Sequence, residues 1–340
     1  MNKKVLIGGT AALAGAGLYF LINKQKEQTP SSKIWTTADI PDLTGKIIIV
    51  TGANSGIGFE AAKEFARKGA QTILACRSMD KAEAALAEIQ TEIPNASVDM
   101  MQLDLASQAS IHKFAEAFKA KYDKLDVLVN NAGIMMVPYG TTEDGFEKQF
   151  GTNHLGHFAL TGLLFDLLLN TKGSRVVNIS SSGHRMGQMD FDNLMYEGGE
   201  GYSGGRAYGR SKLANLLFTY ELQRRFAAMG ADAIAVAAHP GGSNTNLANH
   251  LTDTWYMQLL GSAFEKMMQS AAMGALPTIR AAVDPHVRGG EYYGPAGFME
   301  QRGYPVLVES NTASHNTDDA QKLWDISEKL TGVEFGALDK

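Results

Sequence analysis

The chain has 340 residues, 44% of them apolar and 20% charged, with a net charge of −5 at pH 7. That balance describes a globular protein with a sizeable core, and a mean hydropathy of −0.14 excludes a polytopic membrane protein. One cysteine, Cys76, excludes an internal disulfide framework or a cysteine-ligated zinc cluster, and the acidic balance carries no general nucleic-acid footprint. The 36 glycines are roughly 11% against a usual ~7%, and they require a cause.

Residues 1–33 carry five lysines against Glu27, so the first segment is basic while the remainder is acidic. Within it Val5 to Ile22 is an uncharged run of 18 residues flanked by Lys3, Lys4, Lys24 and Lys26. As a helix it would reach roughly 27 Å, just enough for a bilayer core. Residues 1–23 are therefore expected to be a single-pass membrane anchor. A cleaved signal ending near Ala14-Gly15-Ala16 and a peripheral tail are the rival readings. Residues 24–44, with Pro30, Pro41 and several Ser and Thr, read as a linker, and 45–340 as one domain.

From Lys46 onward β-branched runs alternate with amphipathic stretches. Strands are predicted at 46–51, 71–75, 98–102, 125–129, 174–180 and 233–238; helices at 57–68, 81–92, 110–122 and 208–227. Toward the end Met267, Met268, Leu276 and Ile279 suggest a helix, 291–293 a short strand, and 318–330 a final helix. Continuous apolar strands alternating with helices demand a doubly wound, parallel α/β sheet.

The first strand runs into Gly52-Ala53-Asn54-Ser55-Gly56-Ile57-Gly58 and then a helix, a turn whose glycines let backbone N–H groups approach a pyrophosphate. After the second strand, where an acid would bind the ribose hydroxyls of NAD, the chain has Cys76-Arg77-Ser78. A guanidinium pairs with a 2′-phosphate that a carboxylate would repel, so NADP(H) is the expected cofactor. Asp104 and Leu105 follow the third strand, in place to meet the adenine, and Asn131-Ala132-Gly133 follow the fourth, where small residues admit a flat ligand. Tyr208 and Lys212 stand at i and i+4, so a neighbouring ammonium is expected to lower the phenol's pKa toward the working range.

Together TGANSGIG, NNAG, the serine closing VVNIS, YGRSK and Pro240-Gly241 resemble the short-chain dehydrogenase/reductase family over roughly residues 45–335. The resemblance implies a Rossmann-type single domain and a tetrad. Asn153 would hold a water and the helix geometry, Ser181 (with Ser180 and Ser182 as rivals) would orient the substrate oxygen, Tyr208 would be the acid/base, and Lys212 would tune it and bind the nicotinamide ribose. Pro240, Gly241 and Thr245 would touch the nicotinamide end. TNHLGHF, Ala75-Cys76-Arg77, Ser181-Ser182-Gly183-His184, SKLANLLF and KLWDISEKL are similar to retinol dehydrogenase-like members, which often have an amino-terminal anchor and favour NADP(H).

The expected activity is NADP(H)-dependent interconversion of a hydrophobic alcohol and its aldehyde or ketone, at a membrane, with the domain on the cytoplasmic side where that cofactor is kept. The alternatives are a cofactor-binding scaffold without turnover and a protochlorophyllide reductase-like enzyme; oligomerisation is left open. Between Ser181 and Tyr208 an insert holds Met186, Met189, Phe191, Leu194, Met195, Tyr196 and a glycine-rich stretch 198–205, readable as a moving lid or as local packing. His154 and His157 lack a third ligand at suitable spacing, so no metal is expected.

Overall fold

The computed structural model describes residues 34–242 and 269–336. The apolar run 5–22, residues 24–33 of the linker, Thr245, Met267 and Met268 lie outside the described residues. Among those described, no helix is long and apolar enough to cross a membrane.

Thr36–Lys340 forms one compact unit, so the folded part begins earlier than position 45. Thr36 caps a short 3-10 turn at Thr37–Asp39, with Asp39 closing a reciprocal capping box. Ile40 and Leu43 are buried, and the Leu43 N–H donates to the Lys68 carbonyl at 2.8 Å. Linker-like composition concealed two apolar side chains sufficient to dock this stretch.

The predicted β-branched runs form β1 (Ile47–Thr51), β2 (Gln71–Cys76), β3 (Val98–Gln102), β4 (Val127–Asn130), β5 (Arg175–Ile179) and β6 (Ile234–Ala238), followed by β7 (Tyr292–Pro295) and β8 (Pro305–Leu307). They make one sheet in the order β3-β2-β1-β4-β5-β6-β7-β8. All neighbours are parallel except β7 and β8. The expectation of a wholly parallel sheet is corrected at this edge: residues 296–304 are too few for a crossover helix, so β8 returns as a hairpin.

Helices α1 (Gly56–Arg67), α2 (Met79–Glu92) and α3 (Gln108–Lys121) follow the first three strands. A segment for which the sequence reading named no helix holds α4, which runs through Lys148–Phe150, a π-turn at Gly151–Leu155 and Gly156–Leu163, and then α5 (Phe165–Asn170). The long α6 (Gly204–Ala228), α7 (Ala271–Val283) and α8 (Thr317–Thr331) complete the layers, α7 against α1 and α8 against α6. Phe158, Phe218, Trp324 and Phe335 form an aromatic core between α4, α6 and α8, with ring centroids 4.6–5.7 Å apart for the pairs involving Trp324. Strand order reverses between β1 and β4, and the crevice outside the carboxyl ends of the strands at such a point is where this architecture binds ligands.

Candidate active site

A cavity of about 490 Å³ opens at that reversal. Its wall includes Gly52, Asn54, Ser55, Gly56, Ile57, Gly58, Arg77, Asp104, Leu105, Asn131, Ala132 and Gly133 on one side, and Ser181, Tyr208, Lys212, Pro240 and Gly241 on the other. Every expected site residue among those described thus meets in one place, except Asn153, which stands behind the wall. Thr245 lies outside the described residues.

The turn after β1 is shaped by close approach. A Cβ on Gly58 would collide with the Gly52 carbonyl and the Asn131 amide, and Gly52 and Gly56 have φ of +65° and +58°. Ser55 precedes α1 without capping it by its side chain, and no acid occupies the first turn. By contrast Ser78, Ser107 and Asn316 cap α2, α3 and α8 with side-chain oxygens. The amino end of α1 therefore faces the cavity with its N–H groups and positive dipole end uncompensated, the chemistry a pyrophosphate requires. Arg77 is exposed at the rim with no ion pair among the described residues, so its guanidinium is free for an anion. Cys76 is buried behind it. Burial pushes its thiol up to about 11 despite hydrogen bonds from the Ala53 and Asn54 backbone, so it serves as an inert prop for the glycine turn.

The NNAG loop is tied to β1 by residues the sequence reading did not single out for this. The Thr51 hydroxyl accepts from the Asn131 and Ala132 N–H groups, each at 2.9 Å, while the Asn131 amide donates to the Thr51 carbonyl at 2.8 Å. His157 completes the tie. Its Nδ1–H donates to the Asn153 carbonyl at 3.0 Å, so Nε2 of the neutral ring accepts from the Thr51 hydroxyl at 2.9 Å. Burial pushes this imidazole down to about 4, in keeping with the neutral form. His157 follows Asn153 by one helical turn, so its pairing with Asn153 could have been anticipated from spacing. His154, equally buried, instead bonds to Ser327 on α8. Both histidines are structural, and no cluster of three metal-ligating side chains occurs among the described residues.

Asn153 sits in the π-turn of α4, where the widened helix aims its amide at the loop after β4. Its Oδ1 accepts from the Ile134 N–H at 2.8 Å, and its Nδ2 donates to the Ile134 carbonyl and the Ser211 hydroxyl, both at 2.9 Å. Protein groups thus engage both of its amide hydrogens, and the side chain locks helix to loop.

Among the three serines, Ser180 donates to the Lys212 carbonyl at 2.8 Å, whereas the Ser181 hydroxyl pairs with the Tyr208 phenol. Lys212 Nζ donates to the Ile179 carbonyl at 3.0 Å and lies 5.7 Å from the Tyr208 ring centroid. The expected lowering of the phenol pKa does not occur here. Burial raises it, and only the Ser181 hydroxyl draws it partly back. The ammonium points at a backbone carbonyl rather than the phenolic oxygen, and burial pulls Lys212 itself down to about 8.

The insert is packed rather than lid-like. Arg210, between Tyr208 and Lys212 in sequence, is buried and donates to the carbonyls of Gln188, Asn193 and Leu194, with its guanidinium 4.0 Å from the Tyr196 ring centroid. Leu194, Met189, Phe191 and Met195 pack against a cluster from α4, α6 and α8. No residue from 187 to 203 lines the cavity; its outer wall is Ile134, Met135 and Met136 instead. Met136 has a φ of +53°, and its N–H is held by Gln149 Oε1 at 2.8 Å. Gln301, also on the wall, comes from the β7–β8 hairpin, and nothing local in the sequence announced it.

Comparison with known proteins agrees with this geometry. The family model for short chain dehydrogenases matches residues 46–255. Retinol dehydrogenase 12 of Mus musculus is 41% identical over 302 residues, covering 88% of this chain and 90% of the relative. Retinol dehydrogenase 11 of Homo sapiens is 40% identical over 316 residues, covering 93% and 94%. A solved structure of an uncharacterised protein from Mycobacterium paratuberculosis, 41% identical, superposes with a TM-score of 0.74 over 89% of this chain and 99% of the other. A short chain dehydrogenase from Shigella flexneri complexed with NADP, 24% identical with a TM-score of 0.58 over 74% of this chain and 97% of the other, shares the fold. The chain is an oxidoreductase of the short-chain dehydrogenase/reductase family, and across nearly its whole length it is retinol dehydrogenase-like.

Proposed function

We propose that the protein uses NADP(H) to interconvert a hydrophobic alcohol and its aldehyde or ketone, with retinoid-, steroid- or lipid-aldehyde-like carbonyls as the substrate class. The observation that carries this reading is the convergence of Ser181, Tyr208 and Lys212 with the uncapped end of α1 and the free Arg77 on one cavity. When bound, the nicotinamide supplies or accepts the hydride. Arg77 would hold the 2′-phosphate, the glycine turn the pyrophosphate, and Asp104 and Leu105 the adenine end, while Asn131, Ala132, Gly133, Pro240, Gly241 and Thr245 would serve the nicotinamide side. A phenol held above its ordinary value stays protonated at neutral pH, the form needed to donate to a carbonyl oxygen during reduction. Ser181 would hold that oxygen in place, and Lys212 would hold the ribose and assist proton return to Tyr208. The methionine-rich outer wall, Met135 and Met136, suits an irregular apolar substrate, in keeping with the names of the 40%-identical relatives.

Residues 1–23 are proposed to anchor the domain, on the length and flanking lysines of the apolar run. Purified protein mixed with NADPH or NADH and a panel of retinoid, steroid and aliphatic aldehydes tests the activity. Carbonyl-dependent NADPH oxidation, lost in Tyr208→Phe, is the expected result. Tight NADPH binding without oxidation, unchanged in that variant, would leave a scaffold as the better reading.

A further inference from the structure

Ser181 begins a tight turn, Ser181 to His184, that packs against the ring of Tyr208. The Ser181 hydroxyl accepts from the Gly183 N–H at 3.1 Å, and a Cβ on Gly183 would lie 3.1 Å from Tyr208 Cε1. The Ser181 carbonyl also accepts from the His184 backbone N–H at 3.0 Å, so these bonds tie the serine only to its own turn. The restraint that reaches beyond the turn comes from the side chain of the fourth residue. His184 is fully buried, and its Nδ1 lies 2.5 Å from the Ser181 carbonyl. On the other side of the ring, Nε2 lies 3.2 Å from the backbone N–H of Asn311, and the Asn311 side-chain amide reaches back to the His184 carbonyl at 3.4 Å.

The two partners dictate the state of the imidazole. A carbonyl can only accept, so Nδ1 carries the proton; a backbone N–H can only donate, so Nε2 is bare. The ring is neutral, in one tautomer, and cannot turn over without breaking both bonds. Tyr292 closes one side, edge to face with ring centroids 5.8 Å apart. Asn311 lies beyond β8 and caps the short turn Thr312–His315 with its side chain, so it belongs to the carboxy-terminal part of the chain. The serine, at the end of β5, is thereby held by a segment about 130 residues away.

We propose that His184 is a positioning residue for Ser181: by bridging the Ser181 carbonyl to the Asn311 N–H it sets the placement of the serine hydroxyl against Tyr208. The inference rests on the catalytic reading of Ser181 given under Proposed function. It assigns to the carboxy-terminal segment a part in the geometry of the reacting groups, at a residue that touches neither cofactor nor substrate.

Two near-isosteric variants separate the bonds. In His184→Asn the amide nitrogen falls near Nδ1 and can still donate to Ser181, but the Asn311 N–H loses its acceptor. In His184→Gln the amide reaches toward the Nε2 position, so Asn311 keeps an acceptor while the Ser181 carbonyl loses its side-chain donor and keeps only the backbone N–H of residue 184. Displacing a reacting group by about 1 Å can cost on the order of 10²-fold in rate. His184→Gln is accordingly expected to lose kcat by about that factor with the KM for NADPH within about twofold, and His184→Asn, which keeps the Ser181 bond but cuts it off from Asn311, to lose kcat by a smaller factor of about tenfold. Hydrogen exchange at the amides of 183 and 184, read by mass spectrometry on the full chain, should speed up most in the Gln variant and by less in the Asn variant.

Equal losses in the two variants, accompanied by equal falls in Tm and NADPH affinity, would mean a merely structural histidine and overturn the proposal. Unchanged kcat in His184→Gln would overturn it as well. If the wild-type chain reduces no carbonyl at all, the catalytic reading fails, while slow exchange at 183 and 184 in the Gln variant would separately sink the bridge.

Discussion

At the amino ends of β1 and β4 the carboxylate of Asp126 is buried between Lys46 Nζ at 2.8 Å and Lys124 Nζ at 3.2 Å, and also accepts from the Ile47 N–H at 2.9 Å. At the carboxyl ends of the same strands and β5, Lys212 is buried against a backbone carbonyl and Tyr208 against a serine hydroxyl. Both regions bury ionisable groups, with opposite outcomes. Burial alone would raise Asp126, but its lysines and the Ile47 N–H outweigh it and hold the carboxyl below its usual range. Lys212 is pulled down to about 8 and Tyr208 is raised, because no opposite charge offsets desolvation. One end of the sheet uses its charges to hold strands together, and the other leaves Lys212 and Tyr208 buried without an opposite charge, as the proton exchange proposed for them would require.

Substitutions at the two ends should therefore separate turnover from stability. The largest effect is expected for Lys212→Ala, which should lower kcat by about 10³-fold while leaving Tm nearly unchanged, since the buried amine has no carboxylate partner to lose. Steady-state rates near wild type, or a Tm drop matching that of a core cavity, would break the comparison.

Arg77→Ala acts at the rim of the same end. Losing a charged, multiply bonded phosphate contact of about 2 kcal/mol should raise the KM for NADPH by roughly 30-fold, with little change for NADH; parallel shifts for the two cofactors would refute the clamp. Arg210→Met, which removes the guanidinium bonds to three backbone carbonyls, should cost about 2 kcal/mol in denaturant unfolding and loosen 188–194 in hydrogen exchange. If the insert governs substrate entry instead, the variant will change substrate preference at constant stability.

The smallest effect belongs to the opposite end of the sheet. Asp126→Asn should cost about 1 kcal/mol at neutral pH with kcat unaltered. Because the folded carboxyl has a pKa below its unfolded value, its stabilisation is fully present above about pH 4. It is lost as pH falls through the lower folded value, so the stability gap between wild type and variant should close in acid. A gap that persists unchanged at pH 2 would mean that packing rather than charge holds Asp126.

How much of this was legible beforehand varies with the range of the interaction. The strands β1 to β6 announced themselves as β-branched runs, and the glycine turn, Arg77, and the Tyr208–Lys212 pair followed from local spacing. Short-range signals sufficed for them. The segment 36–43 reads as linker in sequence because Ile40 and Leu43 alone supply its buried apolar side chains. The antiparallel β8 hid in a three-residue strand, and α4 was missed although its π-turn carries Asn153. Arg210 carries no local signal inside YGRSK, because its partners lie 16 to 22 residues upstream.

The sequence by itself determined the strands β1 to β6, the glycine turn, and the residue types that line the cavity, because each shows in neighbours within a few positions. Only the tertiary structure decided the directions of side chains whose partners are remote: Asn153 turned to Ile134 and Ser211, His157 to Thr51, His184 to Asn311, and Lys212 to a carbonyl. It also reversed the expected shift of Tyr208. Desolvation depends on everything packed around a group, and the i, i+4 spacing reports only one neighbour.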